Sequence, residues 1–273
     1  MAKIVGGLRF LSVLTVARAF SSSSSTYLFS QSATRNIATT SLNMARPRGL
    51  EKNREGATPE VGGMTLFLKA AEDGVSVGDC PFAHAVRLVL EEKGLEYQVQ
   101  PCTAETKPEW LVEVYEGKMP ALRHRKECYV DSSVICEYLE FFFPEPVSLK
   151  PPKMNDSILD GFFPAVAQYL KDTSDDPEKL SNLQGKLKGL DDHLSSGGPF
   201  LCGESFSMLD CRLVPQLYHL KAASAAYKGS MPKLEEEYPH LAKYYEATTS
   251  RPSFSNTVYP EETVVWGWGN ARS

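Results

Sequence analysis

The 273 residues, 42% hydrophobic and 23% charged, suffice for one or two domains with a substantial core. The net charge of −5 is unevenly spread: the first 50 residues carry six Lys or Arg and no acid, leaving a body of 23 basic against 34 acidic residues. That acidic body excludes nucleic-acid phosphates as a partner, and no apolar run approaches the twenty residues of a membrane-spanning helix.

The N-terminal segment separates by composition. Lys3 and Arg9 flank the apolar stretch Phe10 to Val16, and Ala17-Arg18-Ala19 follows as a small-x-small pattern of the kind signal peptidase cuts. From Phe20 to Ser41, twelve of 22 residues are Ser or Thr, with Arg35 and no acid, which is the chemistry of a transit peptide. A signal peptide followed at once by Phe20 and a hydroxyl-rich basic segment resembles the two-part plastid leaders of algae with secondary plastids. Residues 1–63 are therefore expected to be a targeting leader and linker addressed to the plastid, with a mitochondrial presequence as the alternative.

Met64 to Leu68 reads as a strand. Cys80 then opens Cys80-Pro81-Phe82-Ala83-His84 at the start of a helix running to Gly94, with Pro81 at the first helical position and Gly94 as the stop. Phe82, Ala85, Val86, Val89 and Leu90 recur at helical spacing as one apolar face; His84, Arg87 and Glu91 line the other. A thiol at a helix start meets unpartnered N–H groups and the positive end of the helix dipole, both of which favour the nucleophilic thiolate. His84, one turn on, leans back toward the sulfur and when protonated would favour thiolate too; the other reading is a solvated imidazole beside Arg87 and Glu91.

Tyr97 to Pro101 is a second expected strand and Trp110 to Val114 a short helix. Ala121 to His124 and Glu127 to Val130 can pair over Arg125-Lys126, and Ser132 to Phe143 returns to helical periodicity before Pro144. Pro144, Pro146, Pro151 and Pro152 mark an extended linker, after which helix-compatible runs dominate. There, Ser207-Met208-Leu209-Asp210 is a capping-box variant that opens a helix carrying Leu209, Leu213, Leu217 and Leu220. The expected division is 64–146 for a sheet-containing domain, 147–157 for the linker and 158–273 for a helical domain.

Gly78-Asp79-Cys80-Pro81-Phe82, Leu90-Glu91-Glu92-Lys93, Lys107-Pro108-Glu109-Trp110, Gly117-Lys118-Met119-Pro120, Asp131-Ser132 and Gly267-Trp268 together resemble a dehydroascorbate reductase of the glutathione transferase superfamily, over Met64 to Trp268. The resemblance implies a glutathione transferase fold, with an N-terminal thioredoxin-like domain and a C-terminal all-helical domain. It implies Cys80 as nucleophile, glutathione and dehydroascorbate as substrates, no bound cofactor or metal, and a monomer not inserted in membranes. Carried over residue by residue, Lys107, Met119, Pro120, Asp131 and Ser132 would bind glutathione. Pro120 would be cis, turning the Met119 backbone to the cysteinyl part, and Ser132 would begin an anion site beside Asp131. Lys69, Asp79, His219 and Trp268 would lie near the second substrate, Trp266 competing for the tryptophan's role.

The family pattern usually continues Cys-Pro-Phe-Ser/Cys-Gln-Arg; here Ala83-His84-Ala85 leaves no resolving cysteine three residues on, so the chemistry is expected to be monothiol. Cys102, Cys128, Cys136, Cys202 and Cys211 fit no Cys-x-x-Cys redox or zinc pattern and read as mostly buried thiols. Two alternatives share the motif: an omega-like transferase with thioltransferase activity, and a channel-like relative, against which Arg87, Glu91, Glu92 and Lys93 are costly in hydrocarbon.

Overall fold

The computed structural model describes residues 63–151, 156–229 and 234–272; the expected leader lies outside the described residues. Strand β1 (Met64–Lys69) is buried at every position but its last. Such a continuous apolar run suits a strand flanked on both edges and covered on both faces. It pairs in parallel with β2 (Tyr97–Cys102) and antiparallel with β3 (Ala121–His124); β4 (Glu127–Val130) completes the order β2-β1-β3-β4. The β3–β4 hairpin closes over Arg125-Lys126 as expected, with Arg125 at φ 56°, in the left-handed region that two-residue turns require.

Helices α1 (Pro81–Glu92), α2 (Glu109–Tyr115) and α3 (Ser132–Phe142) complete the thioredoxin-like half, with α1 and α3 packed side by side. Trp110, Leu111 and Tyr115 of α2 join Phe67, Cys102, Ala121 and Cys128 in one core cluster, where the Phe67 and Trp110 rings meet edge-on at 5.3 Å.

The helical half comprises α4 (Phe162–Lys171), α5 (Pro177–Leu194), α6 (Met208–Tyr227), α7 (Leu234–Glu237), α8 (Pro239–Thr249), α9 (Pro252–Thr257) and α10 (Glu261–Arg272). α6 is its axis: Leu209, Leu213, Leu217 and Leu220 are all buried, as the leucine spacing predicts. The capping box forms with Asp at the third position. The buried Asp210 carboxylate accepts the Ser207 N–H at 2.7 Å and reaches out to the Leu201 N–H at 2.9 Å, so the cap also ties down the preceding loop.

One expectation fails on α1. Its polar face was assigned to His84 and its apolar face to Phe82, yet His84 is 1% exposed and Phe82 41%. The reason is that α1 is covered from a second direction, by α6 and α9 of the helical half. Arg251 holds Glu92 with two hydrogen bonds of 2.8 and 2.6 Å, Arg87 donates to the Thr257 carbonyl at 2.5 Å, and Asn256 donates to Glu91 at 3.1 Å. Lys93, read from sequence only as the end of a helix, has a fully buried ammonium. It is paired with Glu140 at 2.7 Å and donates to the Phe143 and Val147 carbonyls, which pins the start of the linker to the end of α1. A buried charge so placed needs all of these partners. Among the described residues, no helix is long and apolar enough to cross a membrane.

Candidate active site

Cys80 is the N-cap of α1, with extended backbone (φ −74°, ψ 112°) and Pro81 in the first turn. The approach to it depends on Gly78, whose N–H donates to the Lys69 carbonyl at 2.8 Å; a Cβ there would stand 2.5 Å from the Ala70 carbonyl oxygen. No larger residue lets the chain run this close to the end of β1. Cys80 stays partly exposed, and the N–H groups of Phe82 and Ala83 favour its thiolate, as the helix start predicts. The net direction is nevertheless the opposite of the expected depression. Burial pushes the thiol up, Asp79 adds to it, and the two N–H groups and the Lys69 ammonium offset only part. Removing water from sulfur outweighs two partial charges and a cation that is itself occupied by Asp79.

Asp79 and Lys69 form an ion pair at 2.7 Å, and the Lys69 ammonium lies 5.1 Å from the ring centroid of Trp266. Asp79 packs against Gly267 so closely that a Cβ on that glycine would stand 1.7 Å from its Oδ2. Trp268 donates its indole N–H to His219 Nδ1 at 3.1 Å, and His219 Nε2 meets the Tyr259 hydroxyl at 2.7 Å. Three consecutive residues of α10 thus each have one partner: Lys69 over Trp266, Asp79 against Gly267 and His219 on Trp268. Trp266 meets the cation and Trp268 the histidine. Burial pushes His219 down to about 4, so its ring is neutral near pH 7.

His84 does not serve the sulfur as a cation. Its Nε2 bonds Thr257 Oγ1 at 3.0 Å, its ring lies against Phe254 and Tyr259, and burial, then Arg87 and His219, hold it well below the usual imidazole range. Since the Thr257 hydroxyl already donates to the Ser253 carbonyl at 2.7 Å, Nε2 carries the proton and the buried Nδ1 has no partner. His84 is an interface residue between α1 and α9.

The second set of predicted residues lies at the ends of neighbouring elements. The Met119–Pro120 bond is cis, just before β3, and Met119 packs against the Phe67–Trp110 cluster. Asp131, at φ 75°, caps α3 and accepts from the Ser133 N–H at 2.8 Å and the Ser133 hydroxyl at 2.5 Å. Partial burial pushes its carboxyl up but is outweighed by these bonds, which leave it below the usual carboxylate range. Ser132 is the first residue of α3 and partly exposed. Lys107 is partly exposed before α2, its ammonium 3.2 Å from where a Cβ on Gly117 would sit. Among the described residues, no hydrogen bond or ion pair connects this set to Cys80, whereas Asp79 and Lys69 act on its sulfur, His219 bonds the Asp79 backbone and Trp268 bonds His219. Tyr259 was missed, and Gly267 was noted only as part of the Gly267-Trp268 motif, with no sign of its contact with Asp79. No cluster of potential metal ligands occurs among the described residues.

Residues 79–140 match the N-terminal domain of glutathione S-transferases and residues 177–247 match their C-terminal domain. The chain belongs to the glutathione S-transferase family. It is 40% identical to glutathione S-transferase DHAR2 of Arabidopsis thaliana over 197 residues, covering 70% of this chain and 90% of that protein. It is 36% identical to the chloroplastic glutathione S-transferase DHAR3 of the same plant, over 70% of this chain and 74% of the relative. Among solved structures it is similar to dehydroascorbate reductase of Chlamydomonas reinhardtii, with a TM-score of 0.69 and 30% identity over 76% of this chain and 98% of the other. The family's two-part fold, a thioredoxin-like sheet domain and an all-helical domain, is the architecture described above.

Proposed function

We propose that the protein is a glutathione-dependent dehydroascorbate reductase with Cys80 as its nucleophile. The observation that carries this reading is the partly exposed Cys80, with two backbone N–H groups turned to its sulfur and the Lys69–Asp79 pair alongside, in a chain similar along most of its length to a dehydroascorbate reductase. Cys80 thiolate adds to an electrophilic carbonyl carbon of dehydroascorbate, forming a C–S bond as the carbonyl π pair moves onto oxygen. Cleavage of that C–S bond with water releases ascorbate carrying two electrons and leaves Cys80 as a sulfenic acid. Glutathione condenses with the sulfenic acid, losing water, and a second glutathione attacks the mixed disulfide to give oxidised glutathione and the thiolate. No step draws on a metal or a bound organic cofactor.

Glutathione occupies the second set of residues in this reading. The Met119 backbone, beside cis-Pro120, pairs with the cysteinyl part; Ser132 and the first N–H groups of α3 take the γ-glutamyl carboxylate; Asp131, held anionic by Ser133, takes the amine; Lys107 supplies a cation. Lys69, Asp79, His219 and Trp268 surround dehydroascorbate. The working unit in this reading is a monomer. The proposed domain limits are 64–146 for the sheet half, 147–157 for the linker and 158–273 for the helical half. A steady-state assay with both substrates tests the reading. Ser132→Ala should raise the glutathione KM about tenfold to a hundredfold, a hydrogen bond to a charged group being worth roughly 1.5–3 kcal/mol. An unchanged KM removes Ser132 from the glutathione site.

The plastid is the proposed location, on the composition of residues 1–62 and on relatives named chloroplastic. Residues 1–60 fused to a fluorescent protein should enter the plastid, and a charged residue in place of Phe20 should divert it. Mitochondrial fluorescence selects the presequence reading, and a diffuse cytosolic signal overturns both.

A further inference from the structure

The proton inventory of the His219 cluster leaves one donor without an acceptor. An indole nitrogen only donates, so the Trp268 bond makes His219 Nδ1 an acceptor. A neutral imidazole then carries its single proton on Nε2, which faces the Tyr259 oxygen at 2.7 Å, and the ring also bonds the Asp79 backbone. The Tyr259 hydroxyl proton therefore points elsewhere. The residue is 4% exposed, and among the described residues its oxygen has no hydrogen-bond partner other than His219. The bare Nδ1 of His84 does not take the proton, although the two rings lie 5.2 Å apart. A buried hydroxyl normally has its hydrogen bonds filled, and an exception calls for an explanation.

Tyr259 sits where such a donor has chemical use. Its ring packs on His84, whose N–H donates to the Cys80 carbonyl at 3.0 Å, and its backbone carbonyl is held by the Tyr218 hydroxyl at 2.6 Å. The helix that follows it, α10, closes on Asp79 through Gly267 and on His219 through Trp268. Burial first, then the nearby Cys80 and Asp79, hold the phenol well above its usual range, so it keeps its proton when the thiolate forms.

Resting on the dehydroascorbate reductase reading, we propose that the Tyr259 hydroxyl is a catalytic hydrogen-bond donor to the substrate oxygen that becomes negative when Cys80 adds to the carbonyl. The C–S bond forms, the carbonyl π pair moves to oxygen, and the phenol donates a hydrogen bond to that oxygen without transferring its proton. His219, fixed in one tautomer by Trp268, aims the phenol and lends it a bond in return. A preorganised donor of this kind is worth about a hundredfold to a thousandfold in rate.

The test is Tyr259→Phe, which keeps the ring, measured in two reactions of Cys80: dehydroascorbate reduction, whose carbonyl oxygen gains charge, and iodoacetamide alkylation, whose transition state has no such oxygen. The expected result is a fall of about a hundredfold in kcat/KM for dehydroascorbate, with the alkylation rate and the glutathione KM unchanged. Undiminished kcat/KM, or an equal loss in both reactions, overturns the proposal. Should Tyr259→Phe not fold, 3,5-difluorotyrosine placed at 259 alone keeps shape and bonds while making the phenol more acidic. The alkaline limb of kcat/KM should then move to lower pH, and an unmoved limb overturns the proposal. A wild-type enzyme that reduces no dehydroascorbate fails the parent reading instead, which separates the two failures.

Discussion

Cys80→Ser should abolish dehydroascorbate turnover in a protein that still folds. The hydroxyl fits the space of the thiol, and among the described residues no side-chain cap bond from Cys80 holds the helix start; the N-cap geometry comes from the backbone and Pro81. What is lost is nucleophilicity, because a serine hydroxyl does not ionise near neutral pH without an adjacent base. The nearest histidines cannot serve as that base: His84 is engaged with Thr257, and His219 has its Nδ1 filled by Trp268 and its proton on the Tyr259 side. The same variant reports on the thiol itself. Burial and Asp79 outweigh the Phe82 and Ala83 N–H groups and Lys69, so the thiol ionises above the ordinary range. Alkylation of Cys80 should therefore climb with pH through the alkaline region and be absent in Cys80→Ser. Peptide mapping separates the Cys80 signal from that of Cys202, which is also partly exposed. A plateau already reached below neutral pH would show that the helix start prevails over burial, and substantial turnover in folded Cys80→Ser would falsify Cys80 as the nucleophile.

What was legible in the sequence depended on range. The strand at Met64, the helix from Cys80, the β3–β4 hairpin and the Ser207–Asp210 cap are specified by residues a few positions apart, and each is found within a residue or two of its expected limits. The position of Cys80 at a helix start is local in the same way. Its direction of titration is not local, because the burial that raises it is set by segments far along the chain. Helical periodicity likewise put His84 on the polar side, facing the sulfur or water: a helical wheel distinguishes apolar from polar sides and cannot tell solvent from a second domain. His84, Arg87, Glu91 and Glu92 are polar because they face α9 and Arg251, where polar groups find partners. Lys93 was similarly ambiguous, since a lysine before a glycine marks a helix end whether or not its ammonium is buried. Tyr259 had no sequence signal at all; its meaning arises only once Trp268 has fixed the proton on His219.

Gly267→Ala should cost about a hundredfold in kcat/KM for dehydroascorbate while changing stability little. By helix propensity alone, alanine in place of a glycine inside α10 stabilises by about 0.5–1 kcal/mol. Against that stands a Cβ placed 1.7 Å from Asp79 Oδ2 and 2.3 Å from its Cγ, a contact that cannot exist. Over-packing of this kind costs roughly 1–3 kcal/mol, so the two effects largely offset one another in the melting temperature. Geometry does not offset. Either the Asp79 carboxylate swings away, breaking its 2.7 Å bond to Lys69, or α10 shifts and takes Trp266 and Trp268 from Lys69 and His219. A displacement of about 1 Å among positioning groups is enough for a hundredfold loss. Gly189→Ala supplies the control, because a Cβ there meets nothing within 4 Å; it should stabilise by about 0.5–1 kcal/mol and leave kinetics unchanged. The pH profile of Cys80 alkylation separates the two movements. Asp79 swinging out removes an upward push on the thiol and frees Lys69 to face it, so the profile moves to lower pH. A shift of α10 that preserves the Asp79–Lys69 pair leaves the profile in place. Wild-type kcat/KM in Gly267→Ala would show that Asp79 and its neighbours on α10 do not position the reacting groups.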